Sequence, residues 1–206
     1  VPIKKPKIRE LGEAIKALVQ GPFTTKFPFE PPDIIPEFRG FPEYQDDDCV
    51  RCGACAEVCP ARAIEVEEYE KEGKKFRKVR FLYDVCLLCG QCGALCTTGK
   101  GIVYTNKYAK NTFDRKEVIQ EIEDELLECE KCGKIITTKL HLEWIAERLG
   151  EKAFANPTIV LAKQIPMGIA DKEEKSKEAC EVNREDWYRI LCPDCRRAAW
   201  MKENFQ

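Results

Sequence analysis

Twelve of the thirteen cysteines in this 206-residue chain fall into tight groups, and the spacing within each group is that of metal ligands. The first group is Cys49-x2-Cys52-x2-Cys55-x3-Cys59-Pro60, and the second is Cys86-x2-Cys89-x2-Cys92-x3-Cys96. Three thiolates at intervals of two residues let a tight loop wrap one face of an iron–sulfur cubane and aim backbone N–H groups at its sulfurs, while the fourth thiolate reaches a different cluster. This crossed rule assigns Cys49, Cys52, Cys55 and Cys96 to cluster I and Cys59, Cys86, Cys89 and Cys92 to cluster II, both of the 4Fe-4S type. Zinc is the competing metal, but zinc sites use cysteines as two pairs per ion and have no need of a third ligand at this interval followed by a fourth. Purely structural clusters are the other alternative. Two clusters interlocked by one fold must lie near one another, which suits electron hopping and is needless for stapling. Gly53 and Gly93 fit the close approach of backbone to cluster. Thr97 stands where the first run has Pro60, so an altered turn is expected there with the cluster retained.

Two further pairs, Cys129-Glu130-Lys131-Cys132-Gly133 and Cys192-Pro193-Asp194-Cys195, read as metal knuckles that together make a tetrahedral four-cysteine site. Zinc suits that geometry. Iron is the alternative, because CxxCG with CPxC also resembles rubredoxin and thiolate softness does not separate the two metals. A closed zinc site of this kind fastens the tail and does no chemistry. Cys180 is left over and reads as a buried or incidental thiol, or as a replacement for one of the four ligands. His141, the single histidine, falls on a predicted helix beside Trp144 and Ile145 as a packing or surface residue. Arg196, Arg197 and Lys202 near a zinc ribbon could bind nucleic acid, but they are few and have acidic neighbours. No side chain presents itself for catalysis or substrate binding.

The elements that must position these groups follow from pattern. Ile8, Leu11, Ile15, Leu18 and Val19 lie on one face of a predicted helix, Lys7 to Gln20, closed by Gly21 and Pro22. From Pro22 to Tyr44, prolines 28, 31, 32, 36 and 42 forbid continuous helix or a central strand, leaving an extended arm rich in aromatic residues. Ile64 to Glu68 and Phe76 to Phe81 flank the polar Lys71-Glu72-Gly73-Lys74 as a hairpin, and Gly101 to Tyr104 is a β-rich segment after the second run. Residues 114 to 128 are expected to be an acidic amphipathic helix through Val118, Ile119, Ile122 and Leu126, capped by Asp114. Helices are also predicted from Leu140 to Leu149, stopped by Gly150, and after Asn156-Pro157. Asp171 to Lys177 reads as a solvated loop.

With 34 basic against 36 acidic side chains and a net charge of −2, the chain is globular in composition and lacks the field that general nucleic-acid binding needs. Abundant Glu and Lys with few Ser, Asn and Gln resemble a heat-adapted protein. Without an apolar run of roughly 18 residues or a signal-peptide pattern, a cytosolic location is expected. The fold class is α+β in three parts. Residues 1–45 are a helix and Pro-rich docking arm, 46–113 a bacterial-ferredoxin-like domain, and 114–206 a helical, zinc-ribbon-like metal-knuckle extension.

The order of parts, with Lys26-Phe27-Pro28-Phe29-Glu30-Pro31 and Phe38-Arg39-Gly40-Phe41-Pro42 ahead of the two cysteine runs, resembles the 8Fe ferredoxin-like subunit of respiratory complex I and its relatives. The tail from Leu127 through Cys132 to Cys192-Pro193-Asp194-Cys195-Arg196-Arg197 looks like the extension on the corresponding subunit of formate hydrogenlyase and membrane-bound hydrogenase complexes. The resemblance implies an electron-relay subunit, without a catalytic site of its own, at the cytoplasmic face of a membrane complex. It implies as partners a subunit carrying a proximal 4Fe-4S cluster, a hydrogenase-like large subunit, membrane-arm subunits, and an external donor such as ferredoxin. Nucleic acid is not among them. The same relay in a sulfur- or sulfane-reducing or NADH/ferredoxin-oxidising complex, a free polyferredoxin and a metal-stapled regulatory module are the alternatives. The amphipathic helix, with Lys4, Lys5, Lys7, Arg9 and Lys16 in or near it, and the aromatic arm with Phe23, Phe27, Phe29, Phe38, Phe41 and Tyr44, are then expected to be interface.

Overall fold

The computed structural model describes residues 8–170 and 182–205. Cys180, the charged stretch from Asp171 to Lys177, and Lys4, Lys5 and Lys7 lie outside the described residues. The chain divides into two units, Val1–Phe38 and Arg39–Gln206. In the first, helix α1 (Ile8–Gln20) forms as its apolar periodicity predicts, and Gly21 ends it at positive φ with its N–H returned to the Ala17 carbonyl at 3.0 Å. Its apolar stripe Ile8, Leu11, Ile15, Leu18 and Val19 is exposed, as are Phe23 and Phe29. Among the described residues no helix is long and apolar enough to cross a membrane.

The second unit holds two antiparallel sheets. Strand β1 (Pro42–Tyr44) pairs with β4 (Ile102–Tyr104). A four-stranded sheet runs in the order β2-β3-β5-β6, with β2 (Ile64–Lys71), β3 (Lys74–Leu82), β5 (Ile119–Glu128) and β6 (Ile135–Thr138). Pro42 is tolerated because it opens a two-stranded edge. The β2–β3 hairpin turns through Glu72 and Gly73, both at positive φ, the backbone of a two-residue turn matched to strand twist.

Two expectations are corrected here. The segment 114–128 is a strand, β5, preceded by a single 3-10 turn (Arg115–Val118) that Asp114 caps by accepting from the Lys116 N–H. Val118, Ile122 and Leu126 are spaced by four, which satisfies a strand face as well as a helix face. The tertiary partner decides: β3 is basic, and the register sets Arg80 opposite Glu121 and Lys78 opposite Glu123. Arg80 also ion-pairs with Glu67 of β2, so the outer face of the sheet is laced by opposite charges worth about 0.2–1 kcal/mol per cross-strand pair. An isolated helix carrying the same acids would repel itself.

The second correction concerns the arm. Gly40, Phe41 and Gln45 are hydrogen-bonded to the 101–107 segment, so residues 39–45 belong to the second unit. Phe41 and Tyr44 pack in its core beside Ile64, Val79, Phe81, Tyr83 and Ile102 and are not free interface aromatics. Likewise β5, by pairing with β3, crosses the expected boundary at 113/114. The C-terminal helices stand as read: α4 (Lys139–Leu149) with Gly150 at its end, and α5 (Pro157–Gln164) capped by Asn156 with proline in its first turn. They build a second core around Leu127, Leu142, Ala146, Ile159 and Ile190, and α6 (Pro193–Phe205) closes the fold.

Phe81 is 1% exposed, stacked on Tyr83 at 4.8 Å and edge-on to Tyr44 at 5.8 Å. Phe81→Ala is expected to cost about 3–5 kcal/mol in denaturant unfolding. Gly40→Ala should also destabilise, by about 1–3 kcal/mol, because a methyl there would run into the Thr105 and Lys107 carbonyls.

Candidate metal centres

The two cysteine runs fold as copies. Arg51 and Leu88 adopt φ of 50° and 53°, and Gly53 and Gly90 adopt 83° and 85°. Each glycine caps a one-turn helix, α2 (Ala54–Glu57) and α3 (Gln91–Ala94). These positions repeat at the offset that separates Cys49 from Cys86. The counterpart of Gly53 is therefore Gly90. At Gly93 a side chain would collide with the Tyr104 ring, so that glycine makes room for a tyrosine. Arg39 lies against Gly90 and over the Tyr104 ring at 5.8 Å, which explains the arginine of the Phe-Arg-Gly-Phe-Pro segment. The turn after Cys96 closes first as its counterpart does and then differs, running one residue longer to its strand and bonded by the Thr98 hydroxyl. Arg62 N–H bonds the Cys59 carbonyl at 3.2 Å, and Gly99 N–H bonds the Cys96 carbonyl at 3.0 Å. That closure does not use the N–H of the residue after the cysteine, so it forms with Thr97 as it does with Pro60.

Cys49, Cys52, Cys55 and Cys96 line one cavity with Tyr44, Val79 and Ile102. Cys59, Cys86, Cys89 and Cys92 line another with Ile64, Phe81 and Tyr104. Each cavity thus draws its fourth cysteine from the other run. The sulfurs are met by donors. The Ala63 N–H reaches Cys59 Sγ at 3.3 Å and the Leu88 N–H reaches Cys86 Sγ at 3.4 Å. Hydroxyls of Thr97 and Thr98 lie 3.2 and 3.5 Å from the sulfurs of Cys52 and Cys96, and Tyr44 Oη lies 3.9 Å from Cys55. Burial pushes the Cys55 thiol up to about 12 and raises those of Cys49, Cys86 and Cys92. These groups therefore carry thiolate charge only when a cation shares their pocket. Cys96 differs: burial acts to raise it, but the Thr98 hydroxyl and the N–H groups of Thr98, Gly101 and Gly99 outweigh burial and lower it.

A mononuclear site draws its sulfurs onto one ion, whereas a cubane gives each thiolate its own iron and holds them apart. Among the described residues, the only cluster whose ligand atoms converge is Cys129, Cys132, Cys192 and Cys195, all within 4.8 Å of one another. The eight upstream cysteines form no such knot, which argues against zinc at the two runs. In the C-terminal knot, Cys132 and Cys192 sulfurs are 3.6 Å apart, close to the edge of about 3.8 Å that metal–sulfur bonds of about 2.3 Å impose on a tetrahedron. Three of the four are buried. N–H groups of Cys132, Cys192 and Lys131 converge on Cys129, whose thiol they lower against the opposing effect of burial. The donors present fit a four-thiolate zinc or iron ion.

Several residues that serve these sites carried no signal by motif. Arg51, 7% exposed, donates to the Asp46 carbonyl at 2.9 Å and ion-pairs with its carboxylate. This places a buried positive charge inside the first loop and offsets part of the Asp46–Asp48 charge; its place between Cys49 and Cys52 was the available clue. In the tail, Glu130 accepts the Ile190 N–H at 3.1 Å, and Lys131 pairs with Asp186 at 3.3 Å, so the residues inside the first knuckle hold the segment that leads into the second. Arg196 is spent internally: it donates to Thr158 Oγ1 at 2.6 Å, to the Arg189 carbonyl at 2.8 Å and to the Trp187 carbonyl. It is not free for a phosphate. His141 is half-buried, with Nδ1 2.7 Å from Thr137 Oγ1, and burial followed by the Arg77 charge lowers its pKa. That is the packing role expected of it.

Residues 48–100 match the 4Fe-4S dicluster domain family. The chain is 31% identical over 113 residues, 52% of its length, to NAD(P)H-quinone oxidoreductase subunit I of Gloeobacter violaceus, and spans about half (53%) of that relative. It is 25% identical over 182 residues to formate hydrogenlyase subunit 6 of Escherichia coli, covering 88% of this chain and 86% of that one. A solved structure of an archaeal membrane-bound sulfane sulfur reductase aligns with 29% identity and a TM-score of 0.38, covering 56% of this chain and 61% of that one. By the family match and the two relatives, the chain is similar to iron–sulfur subunits of such oxidoreductase complexes, the resemblance expected from its motifs.

Asp186 is buried, and the Asn183 N–H, Lys131 and Arg189 together hold its carboxyl below the usual range although burial opposes them. Asp186→Asn leaves Lys131 without its counter-charge and is expected to cost about 1–3 kcal/mol at neutral pH. Urea unfolding measures that loss. Faster loss to a chelator of any metal held by the four-cysteine knot should accompany it.

Proposed function

We propose that this chain is a non-catalytic electron-relay subunit that holds two 4Fe-4S clusters and passes single electrons within a complex I-related oxidoreductase of the energy-converting hydrogenase or formate hydrogenlyase type. The observation that carries this reading is the pair of crossed, splayed cysteine quartets sharing one fold. Each cluster, when bound, takes up and releases one electron. The protein's part is to hold the two sites side by side on neighbouring inward residues of β3, Val79 and Phe81, and to shield them with Tyr44, Ile64 and Ile102. It also meets the thiolates with N–H and hydroxyl donors, which tune potential. Phenol ionisation of Tyr44 is suppressed by burial and the nearby thiols, so it stays a donor.

The C-terminal extension is read as zinc-ribbon-like: Cys129, Cys132, Cys192 and Cys195 hold one zinc, with iron as the alternative metal, and fasten the tail. The long match to formate hydrogenlyase subunit 6 covers most of the chain and supports the hydrogenase-type assignment. In that setting the chain is a peripheral subunit on the cytoplasmic face of a membrane complex. Its partners are a subunit with a proximal cluster, a hydrogenase-like large subunit and membrane-arm subunits. The exposed stripe of α1 and the exposed Phe23 and Phe29 suit burial against such partners.

Anaerobic metal analysis tests the cofactors: about eight irons with one zinc are expected, whereas a ninth iron in place of zinc assigns the tail site to iron. The crossing is tested by spectroscopy of single variants. Cys96→Ser, although in the second run, should remove the paramagnetic signal of cluster I and spare cluster II, and Cys59→Ser should do the reverse. If each variant instead abolishes the cluster of its own run, the ligand assignment is wrong. Anaerobic co-purification should recover a hydrogenase-like large subunit, and recovery of the chain alone as a monomer with both clusters reducible by soluble donors overturns the subunit reading in favour of a free carrier.

A further inference from the structure

Thr138 ends β6 and is fully buried, 0% exposed, although nothing in its sequence surroundings marks it. Its hydroxyl donates to the Val50 carbonyl at 2.6 Å and accepts the His141 N–H at 3.3 Å, at the start of α4. Val50 lies in the first cysteine loop, between Cys49 and Cys52. The peptide unit whose carbonyl Thr138 grips also carries the Arg51 N–H, which the repeated backbone sets beside the Cys49 sulfur as the counterpart of the Leu88 N–H beside Cys86. A trans peptide is planar with C=O and N–H pointing in opposite directions, so anchoring the oxygen fixes the aim of the hydrogen. Arg51 needs such support, because its φ of 50° lies in the left-handed region that non-glycine residues seldom occupy.

The second loop makes the same N–H contact, from Leu88 to Cys86 at 3.4 Å. There the preceding residue, Leu87, is 69% exposed, so the two loops are supported differently. Strand β6 is itself anchored at its other end by the first metal knuckle, where the Cys129 N–H bonds the Lys134 carbonyl at 2.8 Å and the Gly133 N–H bonds the Cys129 carbonyl at 2.9 Å. A covalently short path of about one strand therefore runs from the four-cysteine knot to the loop that carries Cys49.

We propose that Thr138 is a positioning residue for cluster I, through which the C-terminal extension holds the Arg51 N–H on the Cys49 sulfur. This rests on the reading of the quartets as cluster sites. A hydrogen bond to a cluster sulfur favours the more negative, reduced state, so weakening it moves the reduction potential of that cluster downward and leaves the other cluster alone.

The test is an anaerobic redox titration of the full-length chain followed by low-temperature paramagnetic resonance, with signals assigned by Cys52→Ser and Cys89→Ser variants. Thr138→Val keeps the side-chain shape and removes the hydroxyl; Thr138→Ser keeps the hydroxyl. The expected result is a lower cluster I potential, or selective loss of cluster I, in the valine variant. The serine variant should titrate as wild type, and cluster II should be unmoved in both. An unchanged cluster I potential in Thr138→Val overturns the inference. So does an equal shift or joint loss of both clusters, because Thr138 would then support the fold in general. Absence of both signals from the wild-type chain instead overturns the cluster reading on which the inference stands.

Discussion

Each of the two cysteine cavities is closed by a residue from the other run, and the rest of the second unit is arranged around that exchange. Cys96 leaves the second loop to join Cys49, Cys52 and Cys55, while Cys59 leaves the first loop to join Cys86, Cys89 and Cys92. Neither half can complete its site alone, so the two loops must dock. The core that docks them is shared: Val79 and Phe81 of one strand face the two cavities in turn, and Tyr44, Ile64, Tyr83 and Ile102 fill the space between. The thiols of Cys49, Cys55, Cys86 and Cys92 are held where burial disfavours ionisation without a cation, which links the chemistry of the sites to the packing around them.

The outer face of the same strands is organised by charge. The basic residues of β3 lie between the acidic residues of β2 and β5, and Arg80 pairs with Glu65, Glu67 and Glu121 together. Individually such pairs are weak; as a ladder they fix register, and register sets which residues face inward. Strand β5 then continues into the first metal knuckle, and β6 returns from it to Thr138. The four-cysteine knot thereby sits at the far end of a hairpin whose near end lies against the loop that carries Cys49. In the tail, Glu130 with Ile190 and Lys131 with Asp186 bind the first knuckle to the segment that leads into the second, and Arg196 is bonded within the same tail instead of being offered to a partner.

What the sequence by itself determined is the chemistry and its local frames. Cysteine spacing named the two quartets that the fold gathers into separate cavities, because the three cysteines at intervals of two residues in each run are constrained by the chain whatever the tertiary fold. The hairpin from Ile64, helix α1, helices α4 and α5 and their caps at Asn156 and Gly150 were legible for the same reason: their signals are local hydrogen-bond and turn preferences. Tertiary structure decided the rest. Val118, Ile122 and Leu126 are compatible with helix or strand, and only the basic edge of β3 selects the strand. Tyr44 and Phe41 look like arm residues until the 101–107 segment is brought beside them, Gly93 is explained by a tyrosine eleven positions away, and Thr138 meets Val50 across 88 positions. Contacts of that separation depend on which surfaces meet after folding, and no spacing along the chain encodes them.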